Sequence, residues 1–188
     1  MIAKKLGVQP LLGQQATKEA VLQAMNSVAL IHIAAHGDAE RGEIALAPSF
    51  RIPNGIPQAG LYLLTMTGIS KVRLRAKLVV LSCCHSARGQ TKAEGVVGIA
   101  RAFLGSGARS VLVSLWAVDD KATEQLMTHF YDHLVAGESA GKSLHQVMKW
   151  MRGEGYDVNQ WAPFILIGDD VTFDFGKSGK IRMLLFLE

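Results

Sequence analysis

The residues best suited to chemistry in this sequence follow two apolar segments. His36 and Gly37 end the first segment, and Cys83 and Cys84 end the second. A thiolate is a strong nucleophile, and a nearby imidazole can lower the thiol pKa and later protonate a departing amine. The backbone N–H groups of Gly37 and Cys84 could hold the developing oxyanion. This pattern predicts acyl transfer by a thiol, with His36 and Cys84 as catalytic residues.

Strand geometry separates the two adjacent cysteines. Neighbouring side chains on a strand point to opposite faces, so Cys83 and Cys84 cannot both enter one crevice. Cys84 lies nearer the following loop and is the predicted nucleophile, and Cys83 is interpreted as a small buried hydrophobe. His32, inside the first apolar segment, is predicted to be a hydrogen-bonded core histidine. Taken singly, a His-Gly pair or an unpaired cysteine is more often structural than catalytic.

An acidic pair follows a third apolar segment. Asp119 and Asp120 come after Trp116 and just before a helical pattern. Either aspartate could cap that helix and favour its positive end. Alternatively, Asp120, Asp119 and Trp116 could form an acidic wall that binds a basic substrate side chain. The sequence leaves both interpretations open.

The surrounding elements alternate between strand and helix. Short apolar runs predict buried strands at residues 29–35, 78–83, 111–115 and 164–167. Helical patterns cover residues 18–25, 95–104, 121–135 and 140–152, with caps at Thr17 and Ser139 and a helix stop at Gly105 and Gly107. This alternation predicts a three-layer α/β sandwich. Residues 43–47 and 61–64 predict a small hairpin around a proline-containing loop. Residues 176–188 form a tail whose pattern matches nothing upstream, and no structure is assigned to it.

Composition limits the class of protein. The chain has 188 residues, 49% of them hydrophobic, which fits one domain with one sizeable core. The net charge of +4 is spread along the chain, so nucleic acid is not an expected partner. No apolar run reaches the length of a membrane span, and the two adjacent cysteines suit free thiols in a reducing compartment, so a cytoplasmic location is expected. No cofactor is expected, and the cysteines and histidines lack the separated pairs of a zinc site.

Several blocks of this sequence, taken in order, resemble the CHAT domain family. They are residues 31–37 with the His-Gly pair, 78–84 with the cysteines, 94–95, 102–111, 115–120 and 161–164. This resemblance implies a caspase-like, separase-related α/β fold, in which a mostly parallel central sheet is flanked by helices. It covers residues 1–175 as one domain, which we expect to lack an N-terminal strand and upstream tetratricopeptide repeats.

The resemblance also implies roles for particular residues. His36 and Cys84 match the catalytic dyad of the family, and Gly37 matches its oxyanion glycine. Trp116 and Asp120 fall where separase has a similar segment beside its pocket for a basic P1 residue. Family members usually have a small residue before the nucleophile and a glycine three positions after it, where this chain has Cys83 and Ala87.

Three functions therefore remain open. The first is a cysteine endopeptidase acting on a protein or peptide substrate. The second is a catalytically silent interaction scaffold of a tetratricopeptide-repeat protein, with a role in cell division as the resemblance to animal members implies. The third is redox sensing by the adjacent thiols.

Overall fold

The computed structural model describes residues 2–38, 41–49, 58–85, 93–175 and 183–187. In chain order, its helices are α1 (Ile2–Leu6), α2 (Lys18–Met25), α3 (Ala59–Tyr62), α4 (Met66–Ser70), α5 (Ala93–Gly105), α6 (Asp120–Val135), α7 (Ala140–Gly153) and α8 (Val158–Trp161). Its strands are β1 (Leu11–Leu12), β2 (Leu30–Ala34), β3 (His36–Asp38), β4 (Glu43–Ala45), β5 (Leu63–Leu64), β6 (Leu78–Leu81), β7 (Cys84–His85), β8 (Ser110–Ser114), β9 (Phe164–Gly168) and β10 (Met183–Leu187).

The central sheet is mostly parallel, as predicted. Its strand order is β1-β10-β2-β6-β8-β9, and each neighbouring pair runs parallel except β8 and β9. The four predicted buried strands are β2, β6, β8 and β9, and they lie next to one another in this order; β10 borders β2 on the other side. The alternating order of strands and helices along the chain therefore gave the correct fold class.

The two faces of the sheet are covered by different helices. Odd-numbered strand residues such as Ile33 and Leu81 are buried in a core that includes residues of α2, α4 and α5. Even-numbered residues such as Leu30 and Val80 are buried in a second core with α6 and α7. Because successive side chains on a strand alternate between faces, continuous apolar strands can supply both cores. The result is the three-layer, caspase-like sandwich.

The helix boundaries have local causes that the sequence shows. The Thr17 hydroxyl accepts from the backbone N–H of Ala20 at the start of α2, and the Ser139 hydroxyl caps α7. Gly107 follows the end of α5 with φ of +112°, a conformation that L side chains rarely adopt. A Cβ atom at Gly107 would also lie 2.6 Å from the Leu74 carbonyl oxygen. The predicted caps and helix stop are therefore confirmed.

A second, smaller sheet lies beside the carboxyl ends of β2 and β6. Its strand order is β5-β4-β3-β7, with β4 antiparallel to both β3 and β5. The prediction of a strand over residues 61–64 was partly wrong, because Ala59–Tyr62 form a helical turn and only Leu63–Leu64 pair as a strand. The predicted proline-containing loop includes residues 50–57, which lie outside the described residues.

The C-terminal segment contributes a strand to the interior of the central sheet. β10 runs parallel to β2 from Met183 opposite Leu30 to Leu187 opposite Ala34, and it also pairs with β1. Residues 176–182, which precede it, lie outside the described residues. The C-terminal strand thus borders the strand that leads to His36. None of the helices in the described ranges is both long and apolar enough to cross a membrane.

Candidate functional site

His36 and Cys84 are registered partners on neighbouring parallel strands. In the central sheet, β2 and β6 align Ile33 with Leu81. The same offset continues into the smaller sheet, where β3 and β7 align His36 with Cys84. Neighbouring strands lie about 4.8 Å apart, so the backbones of these two residues are adjacent. The prediction that the two strands are sheet neighbours is confirmed, and Cys84 is described by its backbone alone.

A buried hydrogen-bond network fixes the two strands just before this pair. The ring of His32 is 1% exposed, and its Nε2 and Nδ1 atoms lie 2.8 Å from the Ser82 hydroxyl and the Tyr131 hydroxyl, respectively. Burial lowers the pKa of His32 to about 3, so the imidazole is neutral at physiological pH, with one ring nitrogen donating and the other accepting. Burial also raises the pKa of Tyr131.

This network connects three elements around the candidate dyad. His32 lies on β2, Ser82 lies between β6 and β7, and Tyr131 lies on α6. The backbone N–H of Ser82 also donates to the Ile33 carbonyl oxygen at 3.0 Å. The predicted core histidine is therefore confirmed, and it holds the segment that leads to Cys84 against β2.

Gly37 borders a small pocket, about 20 Å³ in volume, at the carboxyl end of the central strands. The strands β3 and β4 form one wall, β6 and β8 form the floor, and α5 closes the far side. The lining residues are Gly37, Asp38, Gly42, Glu43, Ile44, Leu81, Cys83, Val96, Ile99, Val113 and Ser114. The lining is apolar except for Asp38 on β3, Glu43 on β4 and Ser114 at the end of β8.

Two acidic side chains in this wall were missed by the sequence analysis. Asp38 and Glu43 lie on the paired strands β3 and β4, opposite one another in the register. Asp38 accepts a hydrogen bond from the backbone N–H of Arg41 at 3.1 Å. The predicted hairpin pairs residues 43–47 with residues 61–64, so it gave no signal for the pairing of Asp38 with Glu43.

Gly42 sets the close approach of the β3–β4 hairpin to α5. Its φ is +63°, and a Cβ atom there would lie 2.9 Å from the Gly95 carbonyl oxygen. A side chain at this position would therefore push the hairpin away from the helix. The spacing between β4 and α5 defines the width of the pocket beside Gly37.

Cys83 is packed on the α5 side of the sheet. Its side chain is half-buried against the core, and its Sγ atom lies 3.8 Å from the Ile33 carbonyl oxygen. It lines the pocket beside Gly37 and a smaller one with Ser82 and Ser114. The interpretation of Cys83 as a packed hydrophobe fits its core contacts, but the thiol is less buried than predicted. Ala87 lies outside the described residues.

The rim after β8 separates the two aspartates. Asp119 caps α6, because its carboxylate accepts from the backbone N–H of Ala122 at 2.9 Å, whereas Asp120 is the exposed first residue of the helix. Trp116 is 37% exposed, and its Nε1 atom donates to the Asn159 carbonyl oxygen at 3.1 Å. Of the two capping alternatives, the structure therefore selects Asp119.

The structure brings together part of the predicted site. His36, Gly37 and Cys84 meet at the edge shared by β3 and β7. Ser114, at the end of β8, lines the pocket beside Gly37, and its hydroxyl donates to the Trp116 carbonyl oxygen at 2.6 Å. Asp119 instead lines a separate pocket between α6, α7 and α8. Within the described ranges, no group of three His, Cys, Asp or Glu side chains could hold a metal ion.

The family of the chain follows from these features together with a sequence comparison. The family model of the CHAT domain matches residues 1–169, which include the central strands, the candidate dyad and the rim. The chain belongs to the CHAT domain family.

Two curated relatives give a closer comparison. The chain is 34% identical over 210 residues to tetratricopeptide repeat protein 28 of Mus musculus and 32% identical over 210 residues to that of Homo sapiens. Each alignment covers 95% of this chain, but 9% of the mouse protein and 8% of the human protein. The chain thus spans less than a tenth of the length of these relatives. Residues 81–89 and 171–175 already resemble this protein in the sequence, and that resemblance is confirmed.

Proposed function

We propose that this domain is a cysteine endopeptidase in which His36 and Cys84 form the catalytic dyad. The observation that supports the proposal most directly is the registered pairing of these two residues on β3 and β7. Two unrelated segments, 48 positions apart, supply a potential base and a potential nucleophile to adjacent places on one sheet edge. Reactive groups commonly collect at the carboxyl ends of parallel strands in such sheets.

The proposed reaction uses groups of the chain alone. His36 accepts the proton of the Cys84 thiol, and the thiolate attacks the substrate carbonyl carbon. The backbone N–H groups of Gly37 and Cys84 stabilise the oxyanion. The protonated His36 then donates its proton to the leaving amine, and a water molecule that His36 deprotonates hydrolyses the thioester.

A basic P1 residue is the proposed preference of this site. Asp120 is exposed on the rim at the start of α6, and its carboxylate is the proposed contact for a basic side chain. Asp119 and Trp116 belong to the same proposed wall, although both already make structural hydrogen bonds. Asp38 and Glu43 add negative charge to the pocket beside Gly37. These carboxylates favour a protein or peptide substrate with Lys or Arg at P1.

The test is covalent labelling with a peptide-like, thiol-reactive probe that carries a basic P1 group. Labelling should occur in wild type and in Cys83→Ala, and should be lost in Cys84→Ala and strongly reduced in His36→Ala. Cys83→Ala distinguishes the two adjacent thiols, because Cys83 itself lines the pocket beside Gly37. Labelling that is lost in Cys83→Ala and kept in Cys84→Ala would reassign the nucleophile to Cys83. Asp120→Asn should reduce labelling by the basic probe more than labelling by an uncharged one. Labelling that survives Cys84→Ala would refute the proposed nucleophile.

A second candidate function is a non-catalytic interaction domain in the cytoplasm. The matched relatives favour this function. They are named as tetratricopeptide repeat proteins, and they are much longer than this chain. In that case the domain would dock a protein partner within a larger assembly, with the role in cell division implied by the family resemblance. No labelling of Cys84 above that of a free thiol, together with partner binding that is unchanged in Cys84→Ala, would favour this function.

A further inference from the structure

A second pocket lies between the start of α6, the end of α7 and α8. It has a volume of about 500 Å³, is open to solvent, and shares no lining residue with the pocket beside Gly37. Two half-buried aromatic side chains, Trp150 and Tyr156, line it together with the carboxylate side chains of Asp119 and Glu154. This combination of aromatic rings and carboxylates occurs within an open depression that solvent can enter.

The aromatic wall has a defined geometry. The ring centroids of Trp150 and Tyr156 are 5.8 Å apart with an interplanar angle of 44°, and His129 packs on Trp150 at 3.8 Å. These two ring contacts restrain the indole of Trp150, which still lines the pocket. A fixed aromatic face attracts a cation through its quadrupole and loses little conformational entropy on binding.

The charges around the pocket also favour a cation. Asp119 and Glu154 carry two negative charges and Lys121 carries one positive charge, which leaves one net negative charge in the lining. Glu154 is also the C-cap of α7, where the helix dipole adds partial negative charge, whereas the start of α6, capped by Asp119, adds partial positive charge. Lys121 is exposed and opposes these charges at the start of α6.

One lining group suits the backbone of a bound peptide. The side-chain oxygen of Gln160 accepts from the backbone N–H of Asp157 at 3.0 Å. This bond orients the amide and leaves its NH₂ group as a donor for a ligand carbonyl oxygen. The pocket is also large enough for a side chain together with part of the adjoining backbone.

We propose that this pocket binds an arginine side chain of a polypeptide. A guanidinium group is planar, stacks on aromatic faces and donates several hydrogen bonds to carboxylates, so it matches the lining better than a lysine ammonium does. The pocket shares Asp119 with the proposed P1 wall, but neither His36 nor Cys84 lines it. It would serve either a peptidase or an interaction domain, because binding here does not depend on Cys84.

The test measures binding of a fluorescently labelled, arginine-containing hexapeptide by anisotropy at low ionic strength. The full chain carries Cys84→Ala, so that cleavage cannot remove the probe. The control peptide has citrulline in place of arginine, which keeps the shape and removes the charge. The arginine peptide should bind at least several-fold more tightly than the citrulline peptide. Equal affinity of the two peptides, or no binding of either, would overturn the proposal.

Variants of the lining residues test whether the peptide binds in this pocket. Glu154→Gln and Tyr156→Leu should each weaken binding by about two- to fivefold, and Lys121→Gln should strengthen it by a similar factor. Glu94→Gln is the matched control, because Glu94 is exposed on α5, on the opposite face of the sheet, and its loss changes the net charge equally. Circular dichroism checks that each variant is folded. Equal effects of Glu154→Gln and Glu94→Gln, or weaker binding in Lys121→Gln, would place the peptide elsewhere.

Discussion

The buried His32 predicts an acid-sensitive fold whose pH dependence has a calculable size. Its pKa is lowered from 6.5 to about 3 because burial disfavours the charged imidazolium. The unfolded chain therefore binds one more proton than the folded chain between these two pH values. Stability is complete above the unfolded pKa, and it is lost as the pH falls from about 6.5 towards 3. The loss is about 1.4 kcal/mol for each pH unit.

The assay is urea unfolding, followed by circular dichroism at pH values between 4 and 7, for wild type and His32→Gln. Other groups titrate in this range in both proteins, so the difference between the two curves isolates His32. Between pH 6 and pH 4, the unfolding free energy of wild type should fall by about 2.5 kcal/mol more than that of the variant.

His32→Gln should also be less stable than wild type at pH 7, because the Ser82 and Tyr131 hydroxyls lose a partner. Only the pH dependence tests the reasoning, since that loss is nearly constant with pH. Parallel curves for the two proteins would refute it, and would show that the folded chain accommodates a protonated His32.

Three further predictions concern the elements around the site. Gly107→Ala should lower the unfolding free energy by about 1–3 kcal/mol, because φ is positive there and a Cβ atom would meet the Leu74 carbonyl. Gly105→Ala should change it by less than about 1 kcal/mol, since nothing lies within 4 Å of a Cβ atom at that position. Urea titrations compare the two, and equal losses would contradict the steric argument. Asp119→Ala should lower the unfolding free energy by about 1 kcal/mol, because the α6 cap is lost. Asp120→Ala should lower it by less. Thermal unfolding compares the two variants, and the reverse order would assign the cap to Asp120. Deleting residues 176–188 should expose the edge of β2 that faces β10, so hydrogen exchange at the His32 and Ala34 amides should accelerate, whereas the Ile31 and Ile33 amides, which face β6, should stay protected. Unchanged protection of His32 and Ala34 would argue against the position of β10.

The local elements could largely be predicted from the sequence. Short apolar runs identified the strands that became β2, β6, β8 and β9, because strands buried on both faces have no polar alternation. Capping residues such as Thr17 and Ser139 identified helix starts, because their hydroxyls bond to the first free backbone N–H groups. The buried role of His32 also followed from its place within an apolar strand.

The candidate site could be predicted in its main residues and not in its surroundings. His36 and Cys84 each end an apolar strand, so adjacency followed once the strands were assumed to be neighbours. The sequence could not distinguish Asp119 from Asp120 as the cap, because both precede the helix and only the backbone geometry decides which carboxylate reaches the N–H of Ala122. The hairpin that places Asp38 beside Gly37 also depends on a register that no local pattern fixes.

By itself, the sequence determined the fold class, most helix boundaries and the residues able to do chemistry, because these depend on interactions between residues close in the chain. The tertiary structure decided which distant segments pair. It placed β10 between β1 and β2, ran β9 antiparallel to β8, and joined α6, α7 and α8 around the pocket of Trp150 and Glu154. An apolar strand carries no local signal for its partner or its direction, since burial of its side chains is satisfied equally by several arrangements. The choice among them depends on packing of the whole chain.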